Sequence, residues 1–214
     1  MNTEYRYIAI EGNIGAGKTT LCKMLEADYN YQLVLEQFTD NPFLPSFYQN
    51  PERYAFPVEL FFMTERHKQL QSHFAKPNLF QNTTISDYFF MKTLLFAQNN
   101  LQAEEFRLFQ RLFHVLNTTF PKPDLLVYLH RSVEDLLRNI KNRGRAYEQQ
   151  ISADYLAQIQ GAYFNYLKSI TDIPVLILYV DGIEFWRNKE QYQTIVTCIA
   201  QPHLPRVYHL DLFG

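Results

Sequence analysis

Apolar residues gather in five short runs, Arg6–Glu11, Gln32–Glu36, Thr83–Asp87, Asp124–His130 and Pro174–Asp181. The first, fourth and fifth are nearly continuous rather than alternating, the pattern of parallel strands covered on both faces. Between the runs lie segments of helical character, around Gly17–Tyr29, Pro51–Phe74, Tyr88–Gln98, Gln102–Phe120, Ser132–Lys141 and Ser152–Ile170. Pro51 suits the first position of a helix, where its missing N–H would be unpaired anyway. Ser132 and Ser152 are candidate N-caps. Alternation of strand and helix predicts an α/β fold, a five-stranded parallel sheet with helices on both faces and right-handed crossovers. No repeat, linker or low-complexity stretch interrupts residues 1–200, which read as one domain. The tail, Gln201–Gly214, carries Pro202 and Pro205 and then Val207, Tyr208, Leu210, Leu212 and Phe213. It is too apolar for a free tail and is expected to dock.

Composition narrows the class. The 214 residues are 47% hydrophobic and 20% charged, which excludes a disordered or fibrous chain. A net charge of −2 leaves no electrostatic footprint for nonspecific nucleic-acid binding. Cys22 and Cys198 fit no metal spacing and read as reduced thiols of a cytoplasmic protein. The polar start at Met1 is not that of a signal peptide, and no apolar run approaches the ~20 residues of a membrane span. Aromatic residues are abundant, 18 Phe and 15 Tyr, whereas glycines number only 7 and concentrate where backbone freedom matters.

Three of those glycines lie in Gly12-Asn13-Ile14-Gly15-Ala16-Gly17-Lys18-Thr19, which matches Gly-x-x-x-x-Gly-Lys-Ser/Thr after a strand and before a helix. Glycines let the backbone curl so that its N–H groups face phosphate oxygens. The helix N-terminus, running on through Thr20, adds a positive dipole end. Lys18 is placed to reach the β and γ phosphates, and the Thr19 hydroxyl to ligate Mg²⁺. The motif predicts nucleoside triphosphate binding but not the fate of the nucleotide.

Other residues bear on that fate. The chain has no Asn-Lys-x-Asp loop for guanine, and Tyr88 rather than Glu follows Asp87 at the end of the third run. A phosphotransferase instead needs a base, an acceptor pocket and mobile cations. Glu36 ends the second run, at the sheet edge where open α/β folds bind ligands, and could take a hydroxyl proton. Aromatic and polar residues interleave from Phe43 through Tyr48, Tyr54 and Phe56 to Glu59 and Arg66, which suits a flat heteroaromatic ring. Arg143 and Arg145 flank Gly144 in a short basic lid, about residues 139–150, suited to transition-state charge.

Taken together, GNIGAGKT at 12–19, Glu36 with NPFL at 41–44, FYQNPERYAF at 47–56, ISDY at 85–88 and NRGRAYE at 142–148 resemble the deoxyribonucleoside kinase family, specifically its bacterial purine-type members. The resemblance runs to about Ile199. It implies a P-loop kinase fold and ATP-dependent phosphorylation of a deoxynucleoside 5′-hydroxyl. By the same resemblance, Glu36 matches the general base, Lys18 the phosphate lysine, and Thr19 and Asp87 the Mg²⁺ ligands. Tyr48 and Glu148 match the pair that holds the sugar 3′-hydroxyl, and Arg143 and Arg145 the lid arginines. Glu59 and Arg66 stand where relatives read the base, and Phe185 where an aromatic packs on the ATP adenine. Family members commonly pair the helices equivalent to Pro51–Phe74 and Gln102–Phe120, so a homodimer is expected. Two other readings remain open from the residues: a nucleoside monophosphate kinase resembling thymidylate kinase, and a P-loop module that binds nucleotide without turnover.

This chain departs from the family pattern at four places. Gln37-Phe38 replaces a Pro after Glu36, Tyr88 replaces an arginine after Asp87, and Asn139 replaces an arginine ahead of the lid, where Arg138 points about 100° away. Met91 and Lys92 fall where a base-reading Asp is usual. Glu59 is itself informative. An ionised carboxylate only accepts hydrogen bonds. Guanine offers two adjacent donors, N1–H and the exocyclic amine, whereas adenine would turn N1, an acceptor, towards it. Burying unmatched acceptors costs roughly 1–3 kcal/mol, so deoxyguanosine is favoured over deoxyadenosine.

Overall fold

The computed structural model describes residues 3–37, 41–75, 83–117 and 120–214. The expectations that touch Met1, Phe38 and residues 118–119 at the end of the Gln102–Phe120 helix lie outside them. Three central strands, β1 (Tyr7–Gly12), β4 (Leu125–His130) and β5 (Val175–Tyr179), send alternate side chains to opposite faces, as the period of two requires. On one face Ile8, Ile10, Val127, Leu129 and Leu178 pack with helices α1 (Lys18–Tyr29), α6 (Val133–Arg143) and α8 (Lys189–Ala200). On the other, Ala9, Tyr128 and Ile177 meet α4 (Lys92–Asn100) and α7 (Ala153–Ser169). Burial on both sides explains why these runs are continuously apolar.

The sheet holds six strands among the described residues, not five, in the order β2-β3-β1-β4-β5-β6, with β2 at Gln32–Val34 and β3 at Thr84–Ser86. Every pairing is parallel. The sixth strand is the tail: β6 (Val207–Asp211) adds to β5 in register from Val175↔Val207 to Tyr179↔Asp211. Its residues are only half-buried or exposed, because it sits at the sheet edge. A strand of this kind lacks the continuous apolar run that marked the others.

A third apolar cluster lies beyond the sheet. Leu44 and Phe47 of the short α2 (Leu44–Phe47), Val58, Met63 and Leu70 of α3 (Pro51–Phe74), and Phe109 and Phe113 of α5 (Ala103–Asn117) form it. Phe90 stacks on Phe113 there, with ring centroids 5.2 Å apart. The predicted caps are present: Ser132 accepts from Asp135 N at 3.3 Å and Ser152 from Tyr155 N at 3.1 Å. The helix expected from Tyr88 begins only at Lys92, because Ser86 Oγ bonds the Tyr88 carbonyl at 2.6 Å and the chain turns through residues 88–91.

From β1 the chain crosses through α1 to the edge strand β2, returns to β3 beside β1, and then crosses to β4 on the other side. The order reverses at the C-terminal end of β1, the place where open α/β sheets form ligand crevices. Among the described residues no helix is long and apolar enough to cross a membrane.

Candidate active site

The loop after β1 curls as its sequence predicts. Gly15 has φ 84° and Gly17 φ 98°, conformations that glycine adopts without strain. A Cβ at Gly15 would lie 2.9 Å from the Leu136 carbonyl oxygen, and one at Gly17 3.2 Å from the Phe185 ring. Asn13 braces the loop: its Nδ2 donates to Leu156 O at 2.8 Å, and its Oδ1 accepts from Ile14 N at 2.8 Å. Asn139 Nδ2 donates to Gly15 O at 3.0 Å, so this position holds the loop rather than supplying a cation. Arg131 is buried and donates to Ala16 O at 3.1 Å and to Ile183 O at 2.6 Å, tying the loop to the segment after β5. Lys18 Nζ donates to Asn13 O at 2.9 Å. Burial first, and the charge of Lys92 second, push its pKa down to about 8.

Thr19, at the start of α1, donates to Asp87 Oδ2 at 2.5 Å. Asp87 Oδ1 accepts from Glu36 N at 2.7 Å, which joins the ends of β1, β2 and β3. A hydroxyl and one carboxylate are hard oxygen ligands, and Mg²⁺ takes few of these from a protein, completing its shell with phosphates and water. No cluster of three or more His, Cys, Asp or Glu suited to a metal occurs among the described residues. Thr19 and Asp87 therefore fit Mg²⁺ held jointly with a nucleotide.

Beside the loop opens a cavity of about 110 Å³. Ile14, Gly15, Lys18 and Thr19 form its floor, and Glu36, Tyr48, Glu59, Arg66, Asp87, Arg143, Arg145 and Glu148 all reach its wall. The structure thus brings the acceptor-side and phosphate-facing residues proposed from sequence into one cavity, whereas Gly12, Asn13, Ala16, Gly17, Thr20 and Phe185 do not line it. Glu36 lies two residues beyond β2. Its Oε1 accepts from Arg66 Nε at 2.8 Å and from Arg66 Nη2 at 2.5 Å, while Oε2 accepts from Lys92 Nζ at 2.5 Å. Burial alone would raise its pKa, but the charges of Lys92 and Arg66 overcome this and hold the carboxyl well below the usual range.

Glu59 lies on α3 and is 2% exposed. Its Oε1 accepts from Asn100 Nδ2 at 2.6 Å, and its buried Oε2 has no hydrogen-bond partner among the described residues. Burial drives its pKa up to about 7, against the opposing effects of Arg66 and Asn100. Tyr48 stacks on Tyr147 at 6.4 Å. Arg143 and Arg145 both pair with the buried Glu148, Arg145 at 3.1 Å.

One assignment is corrected. Phe185 is 1% exposed and sits under Gly17, in the core, so its ring offers no face to an adenine. The adjacent Trp186, turned 81° to it, is the half-buried aromatic. Trp186 lines a second groove on the outer side of the loop, with Gly15, Gly17, Thr20 and Asn139. Sequence reasoning also missed one whole wall. Lys92, Phe96 and Asn100 recur every four residues along α4 and all face the cavity, joined by Tyr155 of α7. The four-residue spacing was the available signal.

A phosphate loop that opens onto a cavity, with a carboxylate beside the loop and no second acid to activate water after Asp87, serves transfer to an enclosed acceptor; the chain is a P-loop phosphotransferase. More narrowly, the family model for deoxynucleoside kinase matches residues 8–204, and the chain belongs to that family. It is 35% identical over 208 residues to the deoxyguanosine kinase of Bacillus subtilis (strain 168), covering 94% of this chain and 99% of that protein. It is 30% identical over 201 residues to the deoxyadenosine/deoxycytidine kinase of the same organism, covering 90% and 91%. The structure of deoxyadenosine kinase from M. mycoides with bound dATP has the same fold, with a TM-score of 0.77 at 23% identity, covering 92% of this chain and all of that one.

Proposed function

We propose that this chain transfers the γ-phosphoryl group of ATP to the 5′-hydroxyl of a purine deoxyribonucleoside, with deoxyguanosine preferred to deoxyadenosine. The observation that carries this reading is the pair of carboxylates in one cavity, the half-buried Glu36 beside the phosphate loop and the buried Glu59 farther along the wall. Glu59 presents an oxygen unpartnered among the described residues, an acceptor suited to the two adjacent donors of guanine. Tyr48 and Glu148 take the sugar, with the 3′-hydroxyl between them. Relatives named for deoxyguanosine and for deoxyadenosine support the purine class.

In this mechanism Glu36 holds the 5′-hydroxyl in line and accepts its proton as the O5′–P bond forms and the P–O bond to ADP breaks. A carboxylate held by two cations is a weak base at rest. A loose transition state releases the hydroxyl proton late, so orientation of the acceptor is the larger share of the work. Lys18 and the lid residues Arg143 and Arg145 carry the charge that develops on the phosphoryl oxygens, the arginines turning from Glu148 as the sugar arrives. Thr19 and Asp87 would hold Mg²⁺, which when bound neutralises charge across the phosphates. The adenine of ATP belongs in the groove beside Trp186 rather than against Phe185.

A monophosphate kinase needs cations free to hold its acceptor's phosphate, whereas Arg66 and Lys92 both pair with Glu36. The reading also includes a homodimer through α5, where Leu108 and Leu112 are 51% and 40% exposed one turn apart while Phe109 and Phe113 are buried. The test of the activity is ADP release from ATP and Mg²⁺ with a panel of deoxynucleosides and their monophosphates. Deoxyguanosine should give the highest kcat/KM and the monophosphates none. Release with monophosphates alone, or independent of any acceptor, would overturn the assignment.

A further inference from the structure

Tyr88 follows Asp87 at the phosphate end of the cavity, yet it brings no charge there. Its ring is buried and its hydroxyl lies 3.0 Å from the Gln69 side chain of α3. The cation on this wall comes instead from the first residue of α4. Lys92 is 6% exposed, and its ammonium lies 2.5 Å from Glu36 Oε2 and 5.5 Å from the centre of the Phe96 ring. Among the described residues that ammonium makes one hydrogen bond, to Glu36, although it carries three donors.

The two cations on Glu36 are not equivalent. Arg66 is anchored: it grips Glu36 Oε1 with two N–H groups and Thr93 Oγ1 with a third at 2.9 Å. Lys92 has a flexible stem and a compact charge, and it lines the same cavity as Lys18. A buried ammonium with donors to spare is costly unless an anion completes its shell. The group that enters between Lys18 and Glu36 in the proposed reaction is the transferred phosphoryl.

We propose that Lys92 is a catalytic cation that passes from Glu36 to the phosphoryl group during transfer. The inference rests on the function proposed above. The O5′–H bond breaks and its proton goes to Glu36 Oε2. The O5′–P bond forms, and the P–O bond to ADP breaks with its electron pair staying on ADP. Protonated Glu36 no longer holds Lys92 as an ion pair, and the ammonium turns to the phosphoryl oxygens, whose negative charge now resides on the acceptor. One cation thus serves both the resting carboxylate and the product phosphate.

The experiment compares the full chain with Lys92→Met, Lys92→Gln and Lys92→Arg. It measures kcat and KM for deoxyguanosine and ATP, and calorimetric Kd values for deoxyguanosine and for its 5′-monophosphate. Met and Gln should each lower kcat at least about 100-fold, the scale of one lost transition-state donor, with both KM values within about threefold, and Arg should recover at least about tenfold of that loss. The Kd of the monophosphate should rise at least about tenfold in Lys92→Gln while that of the nucleoside changes by less than about threefold. A folded Lys92→Gln with kcat within about fivefold of the parent, or with nucleoside and monophosphate binding weakened alike, would overturn the proposal. Should the Met variant not fold, Gln decides by the same criteria. A parent chain that phosphorylates no deoxynucleoside would instead overturn the proposed function, a result distinct from any behaviour of the variants.

Discussion

Replacing Glu59 with Gln tests how the pocket reads its base. The side chain is 2% exposed, with one oxygen on Asn100 and the other without a partner among the described residues. In the ionised form both oxygens accept, and guanine N1–H and its exocyclic amine can fill them. Gln turns one acceptor into a donor. Leaving one buried polar group unmatched costs about 1–3 kcal/mol, so the ratio of kcat/KM for deoxyguanosine over deoxyadenosine should fall about 5- to 150-fold. Protonation should act in the same direction. Burial raises the pKa to about 7, and kcat/KM reports the free enzyme, so the parent's preference should climb between pH 6 and 8 as Glu59 ionises. The Gln variant should show no such climb. Stability supplies a readout free of catalysis. Because the native pKa is raised from 4.5 to about 7, the native state holds the extra proton between those values, and stability falls as pH rises through that window. The shift corresponds to about 3 kcal/mol at most, a slope that Glu59→Gln should remove from denaturant titrations. A base preference identical in parent and variant, and flat from pH 6 to 8, would refute the reasoning.

Other outcomes are expected. Glu36→Gln should lower kcat about 10²- to 10⁴-fold, the range of general-base contributions, with the calorimetric Kd for ATP unchanged; unaltered turnover removes Glu36 from the role. Gly15→Ala forces a side chain into φ 84° with its Cβ 2.9 Å from the Leu136 carbonyl. It should cost at least about 1–2 kcal/mol and weaken ATP binding, and an unchanged melting temperature together with unchanged affinity would contradict the loop geometry. Replacing both Leu108 and Leu112 with Glu should convert a dimer into a monomer in sedimentation at micromolar concentration; a parent chain already monomeric there would eliminate the α5 interface.

The parts legible in the sequence were those whose determinants are contiguous. The β1, β4 and β5 runs were readable because both faces are covered, which leaves little room for polar positions. The phosphate loop was readable because backbone curvature, dipole and charge must all come from neighbouring residues. β6 was not, since an edge strand buries only part of its surface and its short alternation is weak evidence for pairing. Phe185 and Trp186 differ by one position, yet the first is buried and the second half-buried, a choice made by the packing of Phe185 beneath Gly17. Lys92 and Asn100 were hidden for a related reason. On α4 they stand among Leu95, Phe96 and Ala97, and only the three-dimensional pairing with Glu36 and Glu59 separates them from an ordinary half-buried helix face.

That pairing explains how one residue type comes to two roles in one cavity. Glu59 is buried and Glu36 half-buried, and desolvation pushes both carboxyls upward. What separates them is the charge each receives. Glu36 has two cations in direct contact, Arg66 from α3 and Lys92 from α4, and stays ionised. Glu59 has the neutral Asn100 amide and feels Arg66 only at a distance, so its proton is held near neutrality. Environments that drive like groups apart in this way assign acid and base roles within an active site. Here they leave a carboxylate ionised at rest beside the phosphate loop and a titratable acceptor deeper in the cavity. The two polar cavity-facing positions of α4, Lys92 and Asn100, are eight residues apart and so about 12 Å along the helix. That separation keeps the cation at one carboxylate from neutralising the other. Exchanging the partners' chemistry, an amide at 92 and a cation at 100, would leave Glu36 with Arg66 alone and give Glu59 a cation of its own, and should lower kcat while removing the climb in deoxyguanosine preference between pH 6 and 8.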